Sequence, residues 1–141
     1  MSKIAIVGSR KFKDKKFVKD TVGKYFDIEY TFISGGAHGV DSWAEETIDE
    51  MNKIINPVYL IKKNIYLPNW NKYGKRAGFI RNELIVNEAD KVVAFWDGIS
   101  KGTKHSINLA IKAGKPIDIY IRQQSQEPSI EVNIDEILRG I

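Results

Sequence analysis

Three short segments of this sequence combine glycine with small polar residues. Six of the 11 glycines fall within residues 8–10, 34–41 and 97–103. A glycine lets the backbone approach a ligand closely, and a glycine turn that leads into a helix points free N–H groups at an anion. The three segments therefore predict a site for a phosphate or a carboxylate group. The phosphate is expected at residues 34–39, where the glycines lead at once into a helix start. The residues expected to contact that group are Gly8, Ser9, Arg10, Ser34, Gly35, Gly36, Ala37, His38, Gly39, Asp41, Asp97, Gly98, Ser100, Gly102 and Thr103.

The same segments lack two familiar phosphate-binding motifs. Neither the Gly-Lys-Ser nor the Gly-Lys-Thr of a Walker A loop occurs, and no segment has the GxGxxG pattern of dinucleotide-binding proteins. Tight turns between strands and helices are the competing interpretation of each segment. Because three segments share the same composition, we favour a binding site.

The hydrophobic pattern predicts the elements that must position these segments. Short β-branched or aromatic runs at residues 4–7, 31–34, 57–61, 92–96 and 117–121 are typical of buried strands. Apolar residues at helical spacing predict four helices between them. This alternation predicts an α/β fold over residues 1–122: a single Rossmann-like domain with a mostly parallel sheet of five or slightly more strands and helices on both faces. Ligands bind outside the carboxyl ends of the strands in such folds, where the three segments fall.

The last part of the chain has a different pattern. Residues 123–141 are predicted to form a linker and a C-terminal helical extension, because Ile134, Ile137, Leu138 and Ile141 recur at helical spacing. We expect this extension to pack on the core or on a partner subunit. A homo-oligomer is the expected assembly.

Composition excludes several kinds of chemistry. The chain has no cysteine, which excludes disulfides, thiolate metal ligands and a cysteine nucleophile. With only two histidines a zinc site is not expected, and we predict no metal and no cofactor. The N-terminal apolar run of four residues is too short for a signal peptide or a membrane span. We therefore expect a cytoplasmic protein with no membrane partner.

Residues 62–81 contain six basic residues, no acidic residue and interleaved aromatic side chains. This mixture predicts that residues 62–76 close over the ligand and stack Trp70 or Tyr73 on its base or ribose. Core packing of the two rings is the competing interpretation. We expect Arg81 to pair with a phosphate or with Asp97, and Asn82 to contact a ribose or a base edge.

Four ordered motifs, at residues 7–10, 34–41, 78–82 and 94–103, resemble the signature of the SLOG superfamily. That superfamily joins the DNA-processing DprA/Smf proteins to the LOG phosphoribohydrolases, and the chain most resembles its YspA-like, cpYpsA-related branch. The resemblance covers residues 4–121. It implies a Rossmann-like sheet, frequent homo-oligomers and a pocket for a nucleotide or nucleotide-derived ligand at the glycine segments.

One position bears on whether this chain is an enzyme. The LOG enzymes, which it resembles at Arg81 and at Gly102-Thr103, have a catalytic carboxylate where this chain has Ser106. A carboxylate stabilises the oxocarbenium-like centre that forms when an N-glycosidic bond breaks, and a serine does so poorly. We therefore favour a protein that senses or sequesters a nucleotide-derived ligand, such as an ADP-ribose-like or cyclic species, without turnover.

Two alternatives stay open. A nucleoside 5′-monophosphate phosphoribohydrolase is favoured by Arg81 and Gly102-Thr103 and disfavoured by Ser106. DprA-like binding of single-stranded DNA is favoured by the basic and aromatic residues 62–81. However, a formal net charge of +4 is small for a protein whose affinity derives from phosphate contacts.

Overall fold

A single sheet organises the described part of the chain. The computed structural model describes residues 2–54 and 60–122 and the backbone of residues 130–132. These residues form the strands β1 (Lys3–Gly8), β2 (Thr31–Ser34), β3 (Lys62–Ile65), β4 (Lys91–Trp96), β5 (Ile117–Ile121) and β6 (Ile130–Val132). The strand order is β3-β2-β1-β4-β5-β6. The first five strands pair in parallel, whereas β6 pairs antiparallel with β5. The predicted α/β fold with a mostly parallel sheet is confirmed.

Helices cover both faces of this sheet, as predicted. The described helices are α1 (Lys15–Tyr25), α2 (Val40–Ile54), α3 (Trp70–Tyr73), α4 (Ala77–Glu88) and α5 (Lys101–Lys112), with a 3₁₀ turn at Gly74–Arg76. Helices α1 and α2 share one hydrophobic cluster with the sheet, and α4 and α5 share the other. None of the described helices combines the length and the apolar content needed to cross a membrane.

Successive side chains of β1 belong alternately to the two hydrophobic clusters. Ile4 and Ile6 pack with α1 and α2, whereas Ala5 and Val7 pack on the side of α4 and α5. All four side chains are buried. The carboxyl end of this central strand is therefore firmly anchored.

The chain reverses its direction of winding at β1. Strands β2 and β3 lie on one side of β1, and β4 and β5 lie on the other. A crevice opens at the carboxyl ends of the strands that flank such a switch point. The loops after β1, β2 and β4 all border this crevice.

The predicted third strand is displaced along the chain. The sequence predicted residues 57–61, but Leu60 and Ile61 precede β3, and residues 57–59 lie outside the described residues. The Asn52 side chain bonds both the N–H of Ile61 (2.8 Å) and its carbonyl (3.1 Å), which takes Ile61 out of the strand ladder. The sequence did not predict β3 because its first three residues are exposed and show no apolar pattern.

The C-terminal part shows one unpredicted element. Residues 130–132, which were expected in the linker and extension, form the edge strand β6. Residues 123–129 and 133–141, including the apolar stripe at 134–141, lie outside the described residues.

Candidate functional site

A cleft of about 560 Å³ lies at the carboxyl ends of the strands, at the switch point. Residues from the loops after β1, β2 and β4 line it together with Asp41 in the first turn of α2, the second and third turns of α4 and the first two turns of α5. Twelve of the predicted site residues line this cleft: Gly8, Ser9, Arg10, Gly35, Ala37, Asp41, Arg81, Asn82, Asp97, Ser100, Gly102 and Thr103.

Seven predicted residues lie outside the lining, five of them in the glycine loops: Ser34, Gly36, His38, Gly39 and Gly98. Ser34 is fully buried and accepts a hydrogen bond from the Gly36 N–H at 3.3 Å. The three glycines have φ between +67° and +85°, so turn geometry accounts for them. His38 is exposed.

The other two residues outside the lining are Trp70 and Tyr73. They belong to α3 and are 55% and 40% exposed, so neither ring is packed in the core. Trp70 borders a separate shallow depression formed by residues 67–71. The structure therefore places Trp70 beside a different surface from the main cleft, and Tyr73 outside the lining of both.

Gly8 brings helix α2 to the cleft. A Cβ atom at Gly8 would lie 2.4 Å from Val40 Cγ1, which is far inside contact distance. The missing side chain lets the first residue of α2 pack directly on the end of β1. The start of α2, with Asp41 in its first turn, thus borders the cleft.

Arg81 crosses from α4 to the loop after β2. Its Nη1 donates to the Gly35 carbonyl at 2.8 Å, and its Nε donates to Asn82 Oδ1 at 3.1 Å. Burial lowers the pKa of Arg81, Asp41 opposes that change, and the nearby Arg10 adds to it. The expected pairing of Arg81 with Asp97 is not formed, because the guanidinium is held by Gly35 instead.

Asp41 is the buried acid of the site. Its Oδ2 accepts a hydrogen bond from the Ala37 N–H at 3.1 Å, whereas its Oδ1 has no hydrogen-bond partner among the described residues. Burial raises the pKa of Asp41 to about 6, against the lowering effects of the Ala37 N–H and the Arg81 guanidinium. The carboxylate is thus half satisfied.

Asp97 stabilises the loop after β4. Its Oδ1 accepts from the N–H groups of Ile99 (2.9 Å) and Ser100 (2.7 Å), and its Oδ2 accepts from the Ser100 hydroxyl (2.7 Å). Burial alone would raise the pKa of Asp97, but these hydrogen bonds outweigh it and lower the pKa. The carboxylate therefore shapes the turn before α5 and has little capacity left for a ligand.

Ser9 links the loops after β1 and β4 by hydrogen bonds. Its hydroxyl accepts a hydrogen bond from the Asp97 N–H at 3.2 Å and lies 3.1 Å from the Thr103 hydroxyl. Asn82 supports the same region, because its Nδ2 lies 3.4 Å from the Gly102 carbonyl and 3.3 Å from His105 Nδ1. These bonds fix the wall of the cleft, so the Asn82 amide is already engaged by protein groups.

The charge of the cleft is positive. Arg10, Lys11, Arg81 and Lys101 line it against two acids, Asp41 and Asp97. Within the described residues none of the four cations forms an ion pair. Such a cleft concentrates anions.

Sequence reasoning missed several lining residues. Lys11 follows Arg10 directly, and Lys101 lies between Ser100 and Gly102, so both were within reach of the loop motifs. Ser106, one helical turn after Thr103, is buried at the cleft. Ile85 and Ile99 gave no signal, because isolated apolar residues occur throughout the chain. Within residues 2–54 and 60–122, no three acidic or histidine side chains converge into a metal-binding group.

The fold and the cleft define a Rossmann-like α/β domain with a cationic cleft at its topological switch point. No family model matches the chain. It is 31% identical over 121 residues to the Gene 61 protein of Mycobacterium phage D29, and the alignment covers 83% of this chain and 94% of that protein. The chain belongs to the family of this Gene 61 protein.

Solved structures share the fold. DNA processing protein A of Helicobacter pylori, whose structure was described for its single-stranded DNA binding mode, has a TM-score of 0.65 at 23% identity, over 99% of this chain and 72% of that one. The protein TM1055 has a TM-score of 0.59 at 20% identity, over 83% and 72%. DprA of Streptococcus pneumoniae has a TM-score of 0.65 at 17% identity, over 89% and 52%. These neighbours show that the fold is shared, whereas membership of the SLOG superfamily and of its YspA-like branch stays a prediction.

Proposed function

We propose that the cleft binds a nucleotide or nucleotide-derived ligand, with its phosphate at the start of α5, and that the protein senses or sequesters this ligand. The observation that carries the proposal is the convergence of Arg10, Lys11, Arg81 and Lys101, all without ion pairs in the described chain, on one cleft. The expected ADP-ribose-like or cyclic species belong to this ligand class.

The start of α5 is the better of two phosphate positions. Its first intrahelical bond runs from the Lys104 N–H to the Ser100 carbonyl (3.1 Å), so the N–H groups of residues 101–103 precede it and have no intrahelical acceptor. No acidic residue lies in this first turn. Free N–H groups, the helix dipole and Lys101 all favour an anion here.

The loop after β2, which the sequence favoured for the phosphate, supports this role less. The Gly36 N–H already donates to the Ser34 hydroxyl, and the Ala37 N–H already donates to Asp41. The Asp41 carboxylate also repels a phosphate. We therefore assign this loop to another part of the ligand.

Isothermal titration calorimetry tests the proposal. The panel contains nucleoside mono- and diphosphates, ADP-ribose, NAD, cyclic nucleotides and inorganic pyrophosphate. Lys101→Gln should weaken binding about five- to tenfold, since it removes one charge-assisted contact. Lys112→Gln, at the opposite end of α5, is the matched control and should leave the affinity unchanged. Absence of binding across the whole panel would refute the proposal.

A second candidate is the binding of single-stranded DNA. It is supported by the exposed rings of Trp70 and Tyr73 on the same segment as Lys72, Lys75 and Arg76. Stacking of a base on such a ring contributes about 1–3 kcal/mol. Titration with a fluorescent oligothymidine at two salt concentrations tests this candidate. Trp70→Ala should weaken binding and Trp70→Phe should preserve most of it.

A further inference from the structure

One oxygen of Asp41 is buried beside the cleft without a partner. The side chain is only 7% exposed, and Oδ1 has no hydrogen-bond partner among the described residues. Oδ2, in contrast, accepts from the Ala37 N–H. A buried carboxylate oxygen without a donor is costly, so its retention needs a specific reason.

The neighbouring donors do not satisfy this oxygen. The Ser34 hydroxyl and the Gly35 N–H lie close enough to lower the pKa of Asp41, yet neither forms a hydrogen bond with Oδ1. The Arg81 guanidinium influences Asp41 electrostatically but donates to the Gly35 carbonyl. Oδ1 itself has almost no accessible surface, so a ligand donor reaches it once the Asp41 side chain turns toward the cleft that this residue lines.

The chemistry of that donor is restricted. A carboxylate repels phosphate, so the group that faces Oδ1 must be an uncharged hydrogen-bond donor or a cation. The four cations of the cleft select against a cationic ligand. In a nucleotide, the uncharged donors that directly adjoin the phosphate are the sugar hydroxyls. The phosphate position at α5 and Asp41 border the same cleft from different loops, as this arrangement needs.

We propose that Asp41 Oδ1 accepts a hydrogen bond from the 2′- or 3′-hydroxyl of the ligand ribose and thereby makes the cleft selective for ribonucleotides over 2′,3′-dideoxyribonucleotides. This inference rests on the proposed nucleotide-binding function. It assigns the phosphate to the start of α5 and the sugar to the start of α2. Single-stranded DNA, whose internal sugars have neither a 2′-hydroxyl nor a free 3′-hydroxyl, fits this position poorly.

The test is calorimetry with the four ribonucleoside 5′-monophosphates, their 2′,3′-dideoxy counterparts and inorganic pyrophosphate. The wild-type protein should bind at least one ribonucleotide about tenfold more tightly than its dideoxy form, as expected for a hydrogen bond to a charged group. Asp41→Ala should reduce this ratio to about twofold or less and leave pyrophosphate binding in place. A purely structural role of Asp41 would weaken all probes together and keep the ratio.

Two further variants complete the test. Asp41→Asn retains an acceptor for the Ala37 N–H, so it should fold even if Asp41→Ala does not, and it should give an intermediate ratio. Asp49→Asn removes the same charge from an exposed position of α2 and should keep the wild-type ratio. If nucleotides bind but ribose and dideoxyribose forms bind equally, or if Asp41→Ala keeps the ratio, the inference is wrong and the proposed function stands. If neither pyrophosphate nor any nucleotide binds, both fail.

Discussion

The guanidinium of Arg81 lies against the backbone of Gly35. Nη1 donates to the Gly35 carbonyl at 2.8 Å, and a Cβ atom at residue 35 would lie 2.3 Å from the same nitrogen. The missing side chain at Gly35 therefore leaves room for the guanidinium of Arg81, a residue that lines the cleft. This pair links the loop after β2 to α4.

Gly35→Ala should displace Arg81 without unfolding the protein. The clash involves the far end of a flexible side chain, so the free energy of unfolding should fall by about 1.5–3 kcal/mol, comparable to one lost hydrogen bond to a charged group. Nucleotide affinity should fall about tenfold, and Arg81→Ala should add little to that loss in the double variant. Gly23→Ala in α1 is the control and should keep full affinity. Additive losses in the double variant would show that the two residues act separately.

Gly8→Ala should lower the stability of the folded protein. The new Cβ would meet the β-branched side chain of Val40, which has little freedom to move at the start of α2. We expect the free energy of unfolding to fall by about 1–3 kcal/mol, as in other overpacked cores. Urea unfolding followed by circular dichroism measures this change. A variant as stable as the wild type would mean that α2 shifts freely, contrary to the packing described above.

Asp41 should destabilise the ligand-free protein at neutral pH. Burial raises its pKa from 3.8 to about 6, so the folded state favours the neutral acid. The stabilising contribution of the protonated Asp41 carboxyl group is fully present below pH 3.8 and is lost as the pH rises through about 6. The ionised form costs at most about 3 kcal/mol at pH 8.

Asp41→Asn should therefore be more stable than the wild type at pH 8, and this advantage should shrink as the pH falls to 4.5. Urea unfolding at the two pH values measures the difference. Asp49→Asn, at an exposed position of the same helix, should change the free energy of unfolding by less than about 1 kcal/mol at both. An advantage of Asp41→Asn that stays constant with pH would contradict the burial of a charged Asp41.

Incubation with nucleoside 5′-monophosphates should release little free base. Ser106 is buried at the cleft where the resembling LOG enzymes have a carboxylate, and the Asp97 carboxylate is occupied by its own loop. Chromatography of the reaction mixture measures the release. Rapid release that Arg81→Ala abolishes would favour the phosphoribohydrolase alternative.

The sequence predicted most of the fold because the central strands are buried on both faces. β1, β2 and β4 carry nearly continuous apolar or β-branched runs, and the run of β5 is interrupted only by Asp118. These runs coincide with the strands to within about a residue. β3 escaped this reasoning because residues 62–64 are exposed. β6 is three residues long and has no pattern that distinguishes it from a linker.

Most of the lining residues that the sequence predicted lie in the loops after β1, β2 and β4. Gly36, Gly39 and Gly98 have the same residue type as the lining glycines, but their positive φ values show that they serve turns. Sequence alone does not separate these two uses of glycine. The placement of Trp70 depends on the short helix α3, which the sequence did not predict. The unsatisfied oxygen of Asp41 is visible only once burial and hydrogen bonds are known.

Nuclear magnetic resonance provides the most direct measurement, because it locates the phosphate. The amide resonances of the ¹⁵N-labelled protein are followed during titration with a nucleotide that binds in calorimetry. The largest shifts are expected at Lys101, Gly102 and Thr103, with further shifts at Gly35 and Asp41. Shifts confined to residues 67–76, around Trp70, would contradict the assignment of the ligand to the cleft.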